Sequence, residues 1–452
     1  MTITPNKPNT EQSIVTSTET ETNQEFNWKN CWYPVTFLQD LPQDCPYSFS
    51  IYDQAFVLFR NQEGKLGCLT DRCPHRAAKL SDGQIRDGKI ECLYHGWQFN
   101  TNGQCLHIPQ LPADAKIPAK ACVQEFTVVE CQGIVWMWRG EPEAAEEKQI
   151  PSLAQLEDTK YFSLDYVIDL PYDQTYFMEN VIDPAHIPIS HHGSMSDRNY
   201  AQPLEMEAIS VSVKGIQGRY RKTNVKNGGW TSLDFIAPNL ILYQDFYRKG
   251  DGGTASTALY SLPLGKGRCR ILVRNYQNFS TWKLKLQPRW FEHLFRSRVL
   301  EEDLELIEGQ QMQVKSLGKS IKEIYLPLKT SDLLVLEYRK WLDKYGSSLP
   351  YYQGYSTSKP DGVSEDFSLF TSAGDRFSRH TKICNSCYGA YRVTSQMKPI
   401  LVGVAIALAA LAIISDIDWI SLVTVTLALF TVTLAFIAQK LKTKLEKSYR
   451  AK

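Results

Sequence analysis

The sequence predicts a multidomain α+β protein: a small all-β domain, then an α+β domain, then a C-terminal transmembrane helical hairpin. Three observations carry this. Short apolar runs punctuated by Gly, Asp and Asn fill residues 27–145, strand and helix periodicities mix over 146–345, and two long apolar runs close the chain. With 452 residues and 43% hydrophobic content there is enough chain for more than one core.

Composition narrows the function classes. The formal net charge is +1, from 50 Lys and Arg against 49 Asp and Glu, and no basic block precedes the extreme C-terminus, so nucleic acid is not an expected partner. Eleven Cys, an odd count without a secretory signal ahead of them, point to a reducing compartment.

Residues 1–26 are rich in Thr and Glu and have no aromatic before Phe26. They predict a disordered lead, because they lack both the basic and apolar regions of a secretory signal and the Arg-rich pattern of a transit peptide. From 27 to 145, runs such as SFSIYDQAFVLFR and GIVWMWRG predict short antiparallel strands, and the acidic GEPEAAEEKQIPS marks a linker. Over 146–345, strand-like YFSLDYVIDL, NLILYQDFYR and CRILVRNYQNF surround helical YDQTYFMENVIDPAHI, RVLEEDLELIEGQQMQVKSL and SDLLVLEYRKWLDKYG. Residues 346–397 read as a loop-rich segment ending near CNSC.

The hairpin is assigned to 398–440 and a basic tail to 441–452. Its apolar runs are Ile400 to Ile414 and Trp419 to Ala438, about 22 and 30 Å long as helices. Lys398 precedes them, Lys440, Lys442, Lys444 and Lys447 follow, and the intervening SDID is acidic. Both ends are therefore expected on the cytoplasmic or stromal side, with the catalytic body.

Two pairs of metal-ligating residues stand in the first domain: Cys73 with His75, and Cys92 with His95. Each pair fits one tight loop. Zinc modules usually put Cys with Cys on one knuckle and His with His on the other, whereas a Rieske [2Fe-2S] cluster takes two Cys on one iron and two His on the other. Mixed loops therefore favour the cluster over zinc. Cys31, Cys45, Cys68, Cys105, Cys122 and Cys131 lack ligand spacing and are expected as small buried hydrophobes.

The second constellation is ENVIDPAHIPISHH, which sets out Asn180, Asp183, His186 and His191. On a straight helix His186 and His191 would diverge by about 140°. Pro188 is expected to end the helix near His186 and let the chain turn His191 back beside it, with His192 as the alternative. Two His and a carboxylate on one face of an iron leave positions open for O2. Asp303 is the expected carboxylate, because it falls inside the apolar stripe of Leu300, Leu304 and Ile307, while Glu301, Glu305 and Glu308 form a row expected to face water.

Together, CPH, CLYHGW and NVIDPAHIPISH resemble the Rieske non-haem iron oxygenases over roughly residues 28 to 345. A C-terminal CNSC followed by a membrane hairpin resembles the pheophorbide a oxygenase-like branch. The resemblance implies a Rieske all-β domain, a helix-grip α+β catalytic domain, and a mononuclear non-haem Fe(II) besides the cluster. It implies a homotrimer in which His95 of one chain meets Asp183 of the next, with Asn180 near the iron, and a chlorophyll-type substrate such as pheophorbide a. A thylakoid or plasma membrane of a photosynthetic bacterium is the expected setting.

No Gly-rich dinucleotide fingerprint follows a strand, so electrons must come from outside, and reduced ferredoxin is the expected donor. They are expected to pass from the cluster through His95 and Asp183 to the His186, His191 and Asp303 site. Cys384 and Cys387 are candidates for a redox dithiol. Two other functions compete: an oxygenase of a different hydrophobic or small-molecule substrate, and a redox relay or sensor without turnover.

Overall fold

A computed structural model of the chain describes residues 25–112, 114–225, 228–248, 252–356 and 375–449. The expected disordered lead therefore lies outside the described residues up to 24, as do part of the loop-rich segment and the last residues of the basic tail.

The first unit is built of short strands: β1 (Trp32–Phe37), β2 (Tyr47–Ile51), β3 (Gln54–Arg60), β4 (Leu66–Thr70), β5 (Gln84–Arg86), β6 (Lys89–Glu91), β7 (Gln98–Phe99), β8 (Cys105–His107), β9 (Glu125–Phe126), β10 (Val128–Cys131) and β11 (Ile134–Trp138). They pair as three small sheets, ordered β1-β11-β10, β2-β3-β4-β9 and β5-β6-β7-β8. Strands this short bury little individually. What fixes them is the apolar filling between sheets, where Val57, Phe59, Leu69, Leu80, Ile90 and Phe99 pack directly against Cys73 and Cys92.

The second unit is a seven-stranded antiparallel sheet ordered β12-β18-β17-β16-β15-β14-β13. Its strands are β12 (Phe162–Leu170), β13 (Leu204–Ser212), β14 (Gly215–Lys222), β15 (Thr231–Ile236), β16 (Leu240–Arg248), β17 (Thr254–Gly265) and β18 (Arg268–Gln277). Residues alternate between its two faces. Tyr166, Ile168, Ile271 and Val273 join the core under the helices, whereas Val167, Leu242, Tyr260 and Leu272 face the β1-β11 side.

Six helices accompany this sheet: α1 (Gln174–Val181), α2 (Ile187–Ser190), α3 (Thr281–Leu286), α4 (Arg289–Leu317), α5 (Ile321–Ile324) and α6 (Leu333–Tyr345). The longest, α4, is 29 residues, about 43 Å, and ends at Gly318, whose φ of 61° is the left-handed cap that a Cβ disfavours. Leu304, Ile307 and Val314 bury its inner face. The expected α+β class is what the chain adopts, in two units of the expected kinds.

Beyond residue 375 the chain forms α7 (Arg376–Arg379), α8 (Asn385–Ile414) and α9 (Asp418–Glu446). This corrects the expected extent of the loop-rich segment: helix begins inside CNSC, at Asn385, where Cys387 is buried and Ala390 and Tyr391 pack against the core well before the apolar run starts. α8 and α9 are 30 and 29 residues long, long and apolar enough to cross a membrane, and bury only 6% and 11% of their most apolar windows. A helix pair belonging to a soluble core would be covered, and this one is not.

The expectation for the six unassigned Cys of the first unit is corrected too. Cys68 is buried, but Cys45 and Cys122 are exposed and Cys31, Cys105 and Cys131 are half-buried. They sit in turns and on short edge strands, where the thin sheets leave no interior to hide in.

Candidate metal centres

The first Cys/His pair lies on the loop after β4, the second on the β6–β7 hairpin. The two loops close alike. Cys73 N–H donates to Ala78 and its carbonyl accepts from Ala77, at 2.8 and 3.0 Å; Cys92 N–H donates to Trp97 and its carbonyl accepts from Gly96, both at 2.9 Å. The fourth residue after each Cys takes a positive φ, Ala77 at 58° and Gly96 at 74°. Two matched turns thereby present two buried sulfurs beside two more accessible imidazoles.

Cys73 and Cys92 face one another, and burial first, then the neighbouring sulfur, pushes the free Cys73 thiol up to about 11. The His75 and His95 rings lie 4.4 Å apart, and His75 stacks on Trp97 at 4.7 Å. His75 Nδ1 is buried with no hydrogen-bond partner. A buried imidazole nitrogen left without a partner, on a loop that also carries a buried thiol facing a second one, is what a metal-ligand site leaves behind, so the four residues fit a cluster with sulfur on one side and nitrogen on the other.

The second centre gathers His186, His191 and Asp303, whose ligand atoms lie within 4.8 Å of one another. His186 Nε2 is 3.6 Å and His191 Nε2 3.2 Å from the same Asp303 Oδ2. The route to this geometry differs from expectation. The helix ends at Val181, not near His186, and Pro188 sits in the first turn of the separate short helix α2, where its missing N–H costs nothing. His186 and His191 flank that single turn, so both rings reach the same point.

A carboxylate stands behind each imidazole, hydrogen-bonded to His191 and only near His186, whose Nδ1 has no hydrogen-bond partner. His191 Nδ1 meets Glu302 Oε2 at 3.1 Å, and Glu302 is itself held by Ser194 Oγ at 2.6 Å and Arg298 Nε at 3.1 Å. His186 Nδ1 faces Asp183 Oδ2 at 3.6 Å, while Asp183 Oδ1 accepts the Ala185 N–H at 2.7 Å. Asn180 Nδ2 points to Asp303 Oδ2 at 3.4 Å. Burial alone would lower the His186 pKa, but Asp183 and Asp303 outweigh it and carry it up to about 10. A carboxylate behind each imidazole, with two Nε2 atoms and a carboxylate oxygen facing inward, fits a divalent iron with open positions.

Several expectations fall differently. Asp303 lies in the buried stripe, and Glu305 is exposed. Glu301, expected to face water, is buried and paired with Arg376, because α7 packs over that face of α4. His192 is exposed, 3.9 Å from Asp197, and does not join the centre. Glu302 was not singled out from the sequence. Its signal was its place beside Asp303 on a helix turn already known to be buried.

The CNSC thiols are buried rather than presented at the surface, and two imidazoles join them: His293, His380, Cys384 and Cys387 form a second group with ligand atoms within 4.8 Å. His293 and His380 were also not singled out. His380 stands four residues ahead of Cys384, the one local hint available.

A cavity of about 420 Å³ opens at the iron site, lined by His186, Asp303, Ile307, Tyr325, Leu326 and Val335 among others.

Comparison with known proteins agrees with this construction. Residues 31–127 match the Rieske [2Fe-2S] domain, and residues 235–320 match the pheophorbide a oxygenase domain. The chain is 35% identical to protein TIC 55, chloroplastic, of Arabidopsis thaliana over 86% of its own length and 77% of that protein. It is 31% identical to the chloroplastic pheophorbide a oxygenase of Oryza sativa subsp. japonica over 86% and 78%. The crystal structure of dicamba monooxygenase bound to dicamba shares the fold, with a TM-score of 0.58 at 23% identity, covering 70% of this chain and 97% of that one. The chain belongs to the Rieske non-haem iron oxygenases, in the pheophorbide a oxygenase branch. It is an oxygenase with a Rieske-type [2Fe-2S] cluster and a mononuclear non-haem iron.

Proposed function

We propose that this chain is a membrane-anchored oxygenase of a chlorophyll-type tetrapyrrole such as pheophorbide a, supplied with electrons by reduced ferredoxin. The observation that carries the reading is the cavity. It runs from His186 and Asp303 outward to Leu326, whose side chain is 91% exposed, and Leu306, 62% exposed, so a flat apolar molecule can lie with one edge at the iron and the rest against an apolar mouth.

In this reading Cys73, His75, Cys92 and His95 hold the cluster, and His186, His191 and Asp303 hold the iron. When bound, the two supply one-electron transfer and O2 activation. The chain's own residues do the positioning. Glu302 fixes which nitrogen of His191 faces inward, while Asp183 sets a carboxylate 3.6 Å behind His186 Nδ1 without hydrogen-bonding it. Asn180 donates to Asp303 and sets its orientation. Glu179, joined to Tyr325 at 2.8 Å and Gln310 at 3.0 Å and paired with the buried Arg339, stiffens the far wall.

A head-to-tail homotrimer, with His95 of one chain near Asp183 of the next, belongs to the same reading. Exposed Leu93 and Tyr94 beside His95, and exposed Ile189 near His186, support it. The bare surfaces of α8 and α9 support anchoring in a thylakoid or plasma membrane with the catalytic units on the cytoplasmic or stromal side.

The test is full-length protein in detergent with reduced ferredoxin, O2 and pheophorbide a. Pigment-dependent oxygen uptake with one labelled oxygen in the product is the expected result. A cluster that reduces normally while every tetrapyrrole offered is recovered intact sinks the substrate assignment. If Asp303→Ala leaves function intact, the relay reading replaces it.

A further inference from the structure

We infer that His293, His380, Cys384 and Cys387 form a third metal centre, a four-coordinate structural zinc site at the junction of the catalytic domain and the apolar hairpin. All four are buried, at 3%, 1%, 0% and 0% exposure, and their ligand atoms lie within 4.8 Å of one another. They come from two places: His293 from the first turns of α4, and the others from the entry to α8, with His380 and Cys384 in the turn before the helix and Cys387 in its first turn.

The distances match a tetrahedron. Zinc bonds of about 2.3 Å to sulfur and 2.0–2.1 Å to nitrogen require nitrogen and sulfur atoms to stand roughly 3.6 Å apart around the ion. His380 Nε2 is 3.2 Å from Cys387 Sγ, and His293 Nδ1 is 3.4 Å from Cys384 Sγ and 3.5 Å from Cys387 Sγ. One imidazole nitrogen thus faces both sulfurs at nearly the required spacing.

The imidazole tautomers are fixed independently of the sulfurs. β12 is an edge strand of the seven-stranded sheet, so alternate carbonyls on its open side need partners. His293 Nε2 donates to the Asp165 carbonyl at 2.8 Å, and His380 Nδ1 donates to the Val167 carbonyl at 2.5 Å. Each ring has then spent its N–H on backbone, and the lone pair of the other nitrogen points at the thiols. Metal-bound histidines are oriented in this way by carbonyls behind them.

Charge also balances. Binding Zn²⁺ displaces one proton from each thiol, and two thiolates with two neutral imidazoles leave the buried site uncharged. Two N and two S donors in a tetrahedron select zinc among divalent ions. A dithiol switch needs at least one sulfur within reach of an exchanging partner, and these are sealed. The ion ties α4, which carries Asp303 about 15 Å further along, to the start of α8.

The experiment uses the full-length chain, purified in detergent under a phosphine reductant without chelator and carrying its iron. Elemental analysis should give about one zinc per chain alongside about three irons, and zinc-edge X-ray absorption should show two sulfur and two nitrogen neighbours. His380→Ala should lose the zinc but keep the cluster's visible and paramagnetic spectra, while His380→Cys should keep it with a third sulfur. Iron-replete protein with less than about a tenth of a zinc per chain overturns the assignment. So does a zinc edge without sulfur, or recovery of Cys384 and Cys387 as a disulfide from protein never exposed to oxidant. The wild-type absorption measurement decides even if the variants fail to fold.

Discussion

The Arg376 guanidinium grips the Glu301 carboxylate, Nε to Oε1 at 2.9 Å and Nη2 to Oε2 at 2.5 Å, two positions along α4 from Asp303. Both side chains are buried, and the Tyr449 N–H adds a third contact to Glu301 Oε2 at 2.7 Å. Arg376→Met should destabilise the folded protein by about 3–5 kcal/mol, because it strands a buried carboxylate. The double variant Glu301→Met, Arg376→Met should recover most of that loss. Denaturant unfolding of the three proteins measures both numbers, and equal stabilities for wild type and the single variant would contradict the pairing.

Glu302 reaches the iron site only through His191. Glu302→Ala should weaken Fe(II) binding at that site about 10- to 100-fold while the cluster spectrum stays unchanged. Glu302→Gln, which keeps an oxygen near Nδ1, should lose less. Fe(II) titration of cluster-replete protein is the readout, and an unchanged affinity in Glu302→Ala would mean His191 is oriented by something else.

Neighbouring histidines give a sharp contrast. His191→Ala and Asp303→Ala should each empty the mononuclear site and abolish turnover with the cluster retained, whereas His192→Ala, on an exposed ring, should change oxygen uptake by less than about twofold. A silent His191→Ala with an inactive His192→Ala would reverse the assignment.

Apolar rim residues should govern substrate affinity. Leu326→Glu or Leu306→Glu should raise KM for a tetrapyrrole by about tenfold or more, roughly 1.4 kcal/mol, with iron content unaltered. Steady-state kinetics separate this from damage to the site, which would lower kcat as well.

Much of this protein could be read locally. Cys73, His75, Cys92 and His95 announce themselves by spacing, and the strand and helical periods of β12, β16, β18 and α6 place those elements within a few residues, whereas α4 begins nine residues before the stretch read as helical, at Arg289 rather than Arg298. Asp303 could be picked out because a carboxylate inside an apolar stripe is costly without a partner. What local pattern could not supply was long-range pairing. Glu301 looks like Glu305 in sequence, and only Arg376, 75 residues away, makes it an inward residue. His293 and His380 are likewise far apart in the chain and meet only because both cap the same open edge of β12. The turn through His186 was misjudged for a different reason: Pro is as much at home in the first turn of a new helix as at the end of an old one.

The contacts of Glu301 also set an order of synthesis. Arg376 lies on α7 and donates in turn to the Lys444 carbonyl, and Tyr449 closes the group, so a buried carboxylate on α4 draws its contacts from both sides of the apolar hairpin, Arg376 ahead of α8 and the others from the end of α9 and just beyond it. Until α8 and α9 have been made, Arg376 can neutralise Glu301, but neither the Lys444 carbonyl that holds Arg376 nor the Tyr449 N–H is yet in place. The segment bearing Asp303 therefore completes its packing only once α9 has formed, and a polypeptide cut off ahead of α7 should leave Glu301 without its counter-charge.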